Sequence, residues 1–270
     1  MLYLSRKPGP PLGRFVEKLW HLQDVPLHQR ERVLPEGTLE LVLNLAEDEI
    51  HVYDPNDPTR VDRHSGAVVS GAFDRSFGID TRAHASIIGA HFRPGGAFPF
   101  FGLPLNELAG SHVDLASLWG GGAAELRGRL CAATTVADRF RILEAALVGR
   151  LGCGRPRHRV VPHVIAQLQA GETRVGELAD NVGLSHRRLI EVFRAEVGMT
   201  PKRFARIKRF ERAVTLLRRD ASADWADLAL RCGYFDQPHM IGDFVSLSGF
   251  TPVALRRQAR GELKDGHVLG

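Results

Sequence analysis

The phrase Gly-Met-Thr-Pro at residues 198–201 returns as Gly-Phe-Thr-Pro at 249–252, 51 residues further on. Each residue in it has a local physical task. Gly198 can take the left-handed conformation that ends a helix, because it has no Cβ to clash. Thr200 can cap the next helix with its hydroxyl, and Pro201 suits a first helical position, where no amide donor is needed. Gly249, Thr251 and Pro252 repeat these tasks. Two identical stop–start signals predict two copies of one folding unit.

The copies extend upstream. Val175, Leu178, Ala179, Val182 and Gly183 match Trp225, Leu228, Ala229, Cys232 and Gly233 at an offset of 50. Leu189, Phe193 and Gly198 match Met240, Phe244 and Gly249 at an offset of 51, so one residue is inserted near Tyr234-Phe235. Each copy reads as a helix with a small Ala, a turn Gly four residues on, and a second helix with an apolar stripe. That pattern predicts a helix-turn-helix in each copy. Between them, residues 201–219 carry Phe204, Ile207, Phe210, Val214 and Leu217 at steps of three and four, predicting one helix of roughly 28 Å. Two recognition helices on such a strut could enter successive major grooves, about 34 Å apart. Lys202, Arg203, Arg206, Lys208 and Arg209 on the strut could meet phosphates.

Helices are predicted over residues 160–168, 175–182, 187–197, 201–219, 225–232, 237–247 and 252–260. The first half is different. Short β-prone runs at 39–45, 50–53, 67–70 and 86–92 alternate with turn residues, which predicts an antiparallel barrel or sandwich. Residues 98–103 read as a short helical turn. Gly120-Gly-Gly122 reads as a break, followed by helices over 123–130 and 136–151. The Gly-, Pro- and Arg-rich stretch 149–158 reads as a linker. The organisation expected is an α+β two-domain chain: a β-rich domain with flanking helices at 1–152, a linker at 153–159 and an all-α unit at 160–270.

Charge follows the same division. Residues 1–156 hold 17 Lys and Arg against 18 Asp and Glu, and the remainder holds 19 against 13. A neutral half joined to a basic one points to nucleic acid as a partner of the second. No apolar run of about 18 residues predicts a membrane span, and the first fourteen residues lack the apolar core of a secretion signal. Cys131, Cys153 and Cys232 are widely spaced, which fits a reducing, cytoplasmic setting and no zinc site.

Residues 160–260 resemble the DNA-binding domain of AraC/XylS-family transcription regulators. The resemblance is carried by residues 175–193 (VGELADNVGLSHRRLIEVF), by the Gly-Met-Thr-Pro phrase, and by residues 232–244 (CGYFDQPHMIGDF). The first half is similar to the N-terminal domain of one branch of that family, through Leu34-Pro-Glu-Gly and residues 91–104 (HFRPGGAFPFFGLP). The resemblance implies a regulator bound to double-stranded DNA, with an N-terminal domain that senses a small-molecule effector or mediates homodimerisation. RNA polymerase could be a further partner, no cofactor is expected, and the sequence leaves open whether the regulator is an activator or a repressor.

On the first recognition helix the resemblance places base contacts at Arg187, Ile190 and Glu191, with His186 beside them at the helix start. Arg187 could fork onto guanine, and Glu191 could accept from cytosine or instead orient Arg187 or Arg188. Relatives often carry Arg where this chain has Glu191. On the second helix, Gln237 and His239 project at the N-terminal end. Relatives often carry Arg at the position of Gly242, and Asp243 beside it would repel phosphate, so this helix is expected to act more as a backbone clamp. Arg188, Arg194, Lys202, Arg203, Arg206 and Arg256 are the expected phosphate contacts.

In the first half, Arg93 and the Pro-Gly-Gly turn after it could hold an anion or simply end a strand. Phe98 and Phe101 could line an effector pocket or pack the sheet against its helices. Glu40, His84 and His91 lack metal-ligand spacing. The helix ending near residue 151 could dimerise or cover the domain. The alternative to a regulator is an enzyme or DNA-repair type of N-terminal domain fused to the same module. No phosphate loop, nucleophile elbow, His-Glu metal motif or reactive Pro-Cys-His-Arg motif supports it. A non-specific architectural role would call for a more basic chain.

Overall fold

A computed structural model of the chain describes residues 2–23, 30–54, 57, 59–80, 85–152, 155–171, 174–219, 224–258 and 267–269. Ten strands form most of the first half: β1 (Leu2–Arg6), β2 (Val16–Gln23), β3 (Arg30–Val33), β4 (Glu40–Asn44), β5 (Glu49–Tyr53), β6 (Val61–Ser65), β7 (Ala67–Ser70), β8 (Phe77–Asp80), β9 (Ser86–Phe92) and β10 (His112–Asp114). Four helices flank them: α1 (Phe98–Phe101), α2 (Leu115–Trp119), α3 (Gly121–Ala132) and α4 (Val136–Arg150). The second half is α5 (Val160–Ala170), α6 (Val175–Asn181), α7 (His186–Val197), α8 (Pro201–Arg219), α9 (Trp225–Arg231), α10 (Gln237–Ser248) and α11 (Pro252–Gln258), and a final strand β11 (His267–Leu269) follows.

All pairings are antiparallel. The first sheet runs β1-β2-β9-β4-β7-β10 and the second β11-β3-β8-β5-β6. The sheets are open, so of the barrel or sandwich expected from the spacing it is the two-sheet form that occurs. β11 pairs with β3, so a segment beyond the helical half completes a sheet of the β-rich half.

Alternation along the first sheet produces three layers. Leu19, Leu41, Leu43, Val69, Ile88, Ala90 and Phe92 are buried in one core with Phe100, Leu126, Phe140, Leu143 and Leu147 of the helices. Trp20, Val42, Val68 and Ile87, one residue out of phase, turn toward the second sheet. Gly89 is small because a Cβ there would meet the Trp20 ring at 2.5 Å and the Leu41 carbonyl at 2.6 Å. His21 lies on the helix side, where burial and neighbouring Arg139 lower its pKa to about 4. Arg139 Nη1 lies 2.9 Å from its Nε2.

Two local expectations need correction. The chain turns at Gly120 alone, and the next helix begins at Gly121 rather than beyond a Gly-Gly-Gly break. Strands β1, β2, β3, β6, β8, β10 and β11 were absent from the sequence reading. β2 in particular, Val-Glu-Lys-Leu-Trp-His-Leu-Gln, is buried on both faces and carries a bulge at Val16/Lys18, which blurs its period-two signal. Residues 259 and 260 of the expected last helix, His84 and Cys153 lie outside the described residues.

Candidate nucleic-acid interface

The two turn phrases act as their chemistry requires. Gly198 and Gly249 sit at φ +91° and +77° and end α7 and α10. Thr200 Oγ1 accepts from the Arg203 amide at 3.4 Å, and Thr251 Oγ1 from the Ala254 amide at 3.3 Å. Pro201 and Pro252 open α8 and α11. Gly183 and Gly233 make the turns inside the motifs at φ +68° and +81°. Ser185 caps α7 by accepting from the Arg188 amide, and Asp236 caps α10 by accepting from the His239 amide at 2.8 Å. The two helix-turn-helix units are therefore α6–α7 and α9–α10, and α8 packs against members of both.

Both turns have a second task that was hidden in the sequence. Gly198 lies against Ala72 Cβ and the Leu105 carbonyl, and Gly249 against the Arg32 guanidinium. Arg32 Nη1 donates to the Ser248 carbonyl at 2.7 Å and its guanidinium covers the Phe250 ring. The Ser76 amide donates to the Leu247 carbonyl at 2.8 Å. The C-terminal ends of both recognition helices thus dock on the β-rich half. Their N-terminal ends remain exposed.

On α7, Leu189, Val192, Phe193 and Val197 are buried, and His186, Arg187, Arg188, Glu191 and Arg194 are exposed, with Ile190 half-buried. Arg187, 90% exposed, donates from Nε to Glu191 at 3.0 Å, and Arg188 Nη1 reaches the same carboxylate at 3.4 Å. The hydrogen bond from Arg187, together with Arg188, holds the Glu191 carboxyl below its usual range. Glu191 thus lies between the two arginines, within reach of both.

On α10, Gln237 is half-buried and His239 is exposed, its ring edge-to-face with Tyr234 at 5.3 Å. Asp243 corrects the expectation of a phosphate-repelling surface charge: it is buried. It accepts from Arg206 Nε at 2.7 Å and Arg209 Nη2 at 3.2 Å. Arg206, with its side chain 36% exposed, thereby ties α8 to α10. Arg209 also lies over Tyr234, and Lys208 Nζ donates to the Glu36 carbonyl at 2.9 Å and to Glu211. Lys202 and Arg203 stay exposed, Arg203 within 3.3 Å of Asp74. Arg256 stacks on Trp225 of α9. Gly242 is exposed, with nothing within 4 Å of where a Cβ would stand.

The effector candidates Arg93, Phe98 and Phe101 do not line the space between the two sheets. Arg93 donates to the Gly13 carbonyl and pairs with Glu17, while Arg157 donates to the Pro94 carbonyl of the same turn. Phe98 and Phe101 belong to the helix–sheet core, Phe101 stacked on Trp119 at 5.8 Å. They lie on the far side of the first sheet from the space between the sheets. His91 lies near Glu36 and Glu40, at 3.3 and 3.6 Å. Among the described residues no three His, Cys, Asp or Glu side chains are grouped to hold a metal. No described helix is long and apolar enough to cross a membrane.

Residues 178–258 match a family described as a helix-turn-helix domain, and residues 5–114 match a domain of unknown function, DUF6597. No match is found among curated proteins. Among solved structures, the chain is similar to an AraC-type transcriptional regulator from Chromobacterium violaceum, at 23% identity over 39% of this chain and 96% of that one, TM-score 0.36. It is also similar to a probable AraC family regulator from Rhodopseudomonas palustris, at 26% identity over 38% and 100%, TM-score 0.34. ToxT from Vibrio cholerae matches over 96% and 99% at 8% identity, TM-score 0.46.

Proposed function

We propose that this chain, a DNA-binding transcription regulator that joins an AraC-type helix-turn-helix domain to a β-rich domain of unknown function, reads two adjacent major grooves with α7 and α10. One observation supports this reading above the others. The duplicated units anchor their recognition helices at the C-terminal ends and leave both N-terminal ends exposed, where base edges are read. His186, Arg187 and Ile190 contribute base contacts from α7, with Glu191 holding Arg187 in place. Gln237 and His239 contribute from α10. Arg188, Arg194, Lys202 and Arg203 neutralise phosphates, and Arg256 supports the rim of the second unit.

The β-rich half controls this reading through its grip on both turn phrases, in response to a small-molecule effector or to homodimerisation. Contact with RNA polymerase from the exposed surface of the complex completes the regulatory function. Selection of bound sequences from random duplex DNA with the full chain tests the groove-reading model. Two short conserved blocks about one helical turn apart are expected. Arg187→Ala should weaken binding to the selected site by ~1–3 kcal/mol and relax one base position. Unchanged affinity together with unchanged base preference refutes the assignment.

A further inference from the structure

The second helix-turn-helix unit differs from the first by one residue, and the backbone locates it. The Leu184 amide donates to the Ala179 carbonyl at 3.0 Å, and the Tyr234 amide donates to the Ala229 carbonyl at 2.9 Å. Leu184 and Tyr234 are therefore equivalent positions. Ser185 caps α7 directly after Leu184, whereas Phe235 stands between Tyr234 and the Asp236 cap of α10. Phe235 is the inserted residue.

An apolar residue just before an N-cap commonly packs back on its own helix as a hydrophobic staple. Leu184 does so in the first unit, half-buried against the core that includes Leu189. In the second unit Tyr234 takes that place, 3% exposed and covered by the Arg209 guanidinium at 4.6 Å. Phe235 is thereby displaced from the core. At 85% exposed, it is the most exposed large apolar side chain among the described residues. A lone exposed apolar side chain is ordinary on a protein surface. The position of this one is not, because it stands at the N-terminal entry of a recognition helix, the end that meets base edges.

The chemistry of α10 narrows what the ring can read. Residues 237–248 include neither Lys nor Arg, Gly242 has no side chain to offer, and Asp243 is buried. The first recognition helix, by contrast, exposes Arg187, Arg188 and Arg194. Forked guanidinium contacts to guanine are thus open to α7 and closed to α10. The apolar feature displayed in the major groove is the thymine 5-methyl group, and a phenyl ring is among the side chains that pack on it.

We propose that Phe235 is a specificity-determining residue of the second unit and packs on the 5-methyl group of one thymine. The inference rests on the groove-reading function of α10 and adds to it the base that this helix prefers. The ring leaves water only when DNA is bound, so its burial favours the complex and not the free fold.

The test uses the full chain and an operator selected from random duplex DNA. Each thymine of the operator is replaced in turn by deoxyuridine, which removes the 5-methyl group and leaves base pairing intact. At one position the wild type should lose affinity roughly fourfold, the worth of one buried methyl group. Phe235→Ala should bind the parent operator more weakly by at least that factor and show no response to deoxyuridine at that position. Its Tm should stay within about 3 °C of wild type, since an exposed side chain contributes little to the fold. A larger fall in Tm assigns the ring to the fold and overturns the proposal. So does an operator with no methyl-sensitive thymine, or a methyl response that Phe235→Ala retains. An equal loss by Phe235→Ala on operator and random DNA marks a backbone contact and also overturns it. Failure to select any operator removes the groove-reading function, and this inference with it. An operator with two conserved blocks and no methyl dependence keeps α10 in the groove and removes the role of Phe235 alone.

Discussion

Asp243→Ala tests the tie between the strut and the second recognition helix. The carboxylate is 5% exposed and accepts from two guanidinium groups of α8, at 2.7 and 3.2 Å. Removing one partner of a fully buried ion pair costs about 3–5 kcal/mol, because the other charge is left without compensation. The Arg206 side chain is 36% exposed and can be rehydrated in place, whereas that of Arg209 is 17% exposed and cannot fully. The expected loss is therefore smaller, about 2–3 kcal/mol in urea unfolding followed by circular dichroism. Arg206→Ala should cost only about 1 kcal/mol, since Asp243 keeps Arg209. In the double variant the two losses should fail to add by about 1 kcal/mol, the mark of direct coupling. DNA binding supplies the contrast. An internal tie leaves the salt slope of Arg206→Ala unchanged, whereas a lost phosphate contact reduces it by about 1. A loss under ~0.5 kcal/mol for Asp243→Ala, or a flattened slope for Arg206→Ala, refutes the reasoning.

Two further perturbations read other parts of the structure. Burial pushes the Glu196 carboxyl up to about 7, against the opposing pull of the His158 amide and Arg157. The folded chain then holds a proton that the unfolded one releases near pH 4.5. The resulting stability is present below about 4.5 and is lost as pH rises through about 7. Glu196→Gln should remove that slope: wild type minus variant should fall by roughly 1–3 kcal/mol between pH 4.5 and 7.5, and a flat difference contradicts the burial argument. Gly242→Arg adds a side chain where space is open on the exposed face of α10. It should stabilise the helix by about 0.7 kcal/mol and steepen the salt dependence of DNA binding by about 1; no change in either places that face away from DNA.

The helical half was legible because its information is local. A Gly that must adopt positive φ, a Thr that caps and a Pro at the first helical position act within a few residues, and the duplication wrote them twice. Helix α8 begins and ends at the expected residues, and the turns, caps and buried stripes of both units follow from spacing alone. The exposed ends of the recognition helices were equally readable, since residues off the apolar stripe had no other place to go.

The β-rich half and the use of the strut's charges were decided elsewhere. Strands β2, β3 and β8 take their identity from partners far along the chain, and buried strands lose the alternation that would announce them. β11 finds its place only by pairing with β3 across more than 230 residues of sequence. The charge pattern of α8 gave no sign that Arg206, Lys208 and Arg209 would tie the helix to other elements, because Asp243 and the Glu36 carbonyl are supplied by α10 and by the loop before β4. Sequence by itself determined the turns, caps and periodicity, where the competing energies act within one helical turn. Tertiary structure alone decided which charges are internal ties, because desolvation and packing depend on what the rest of the chain places alongside.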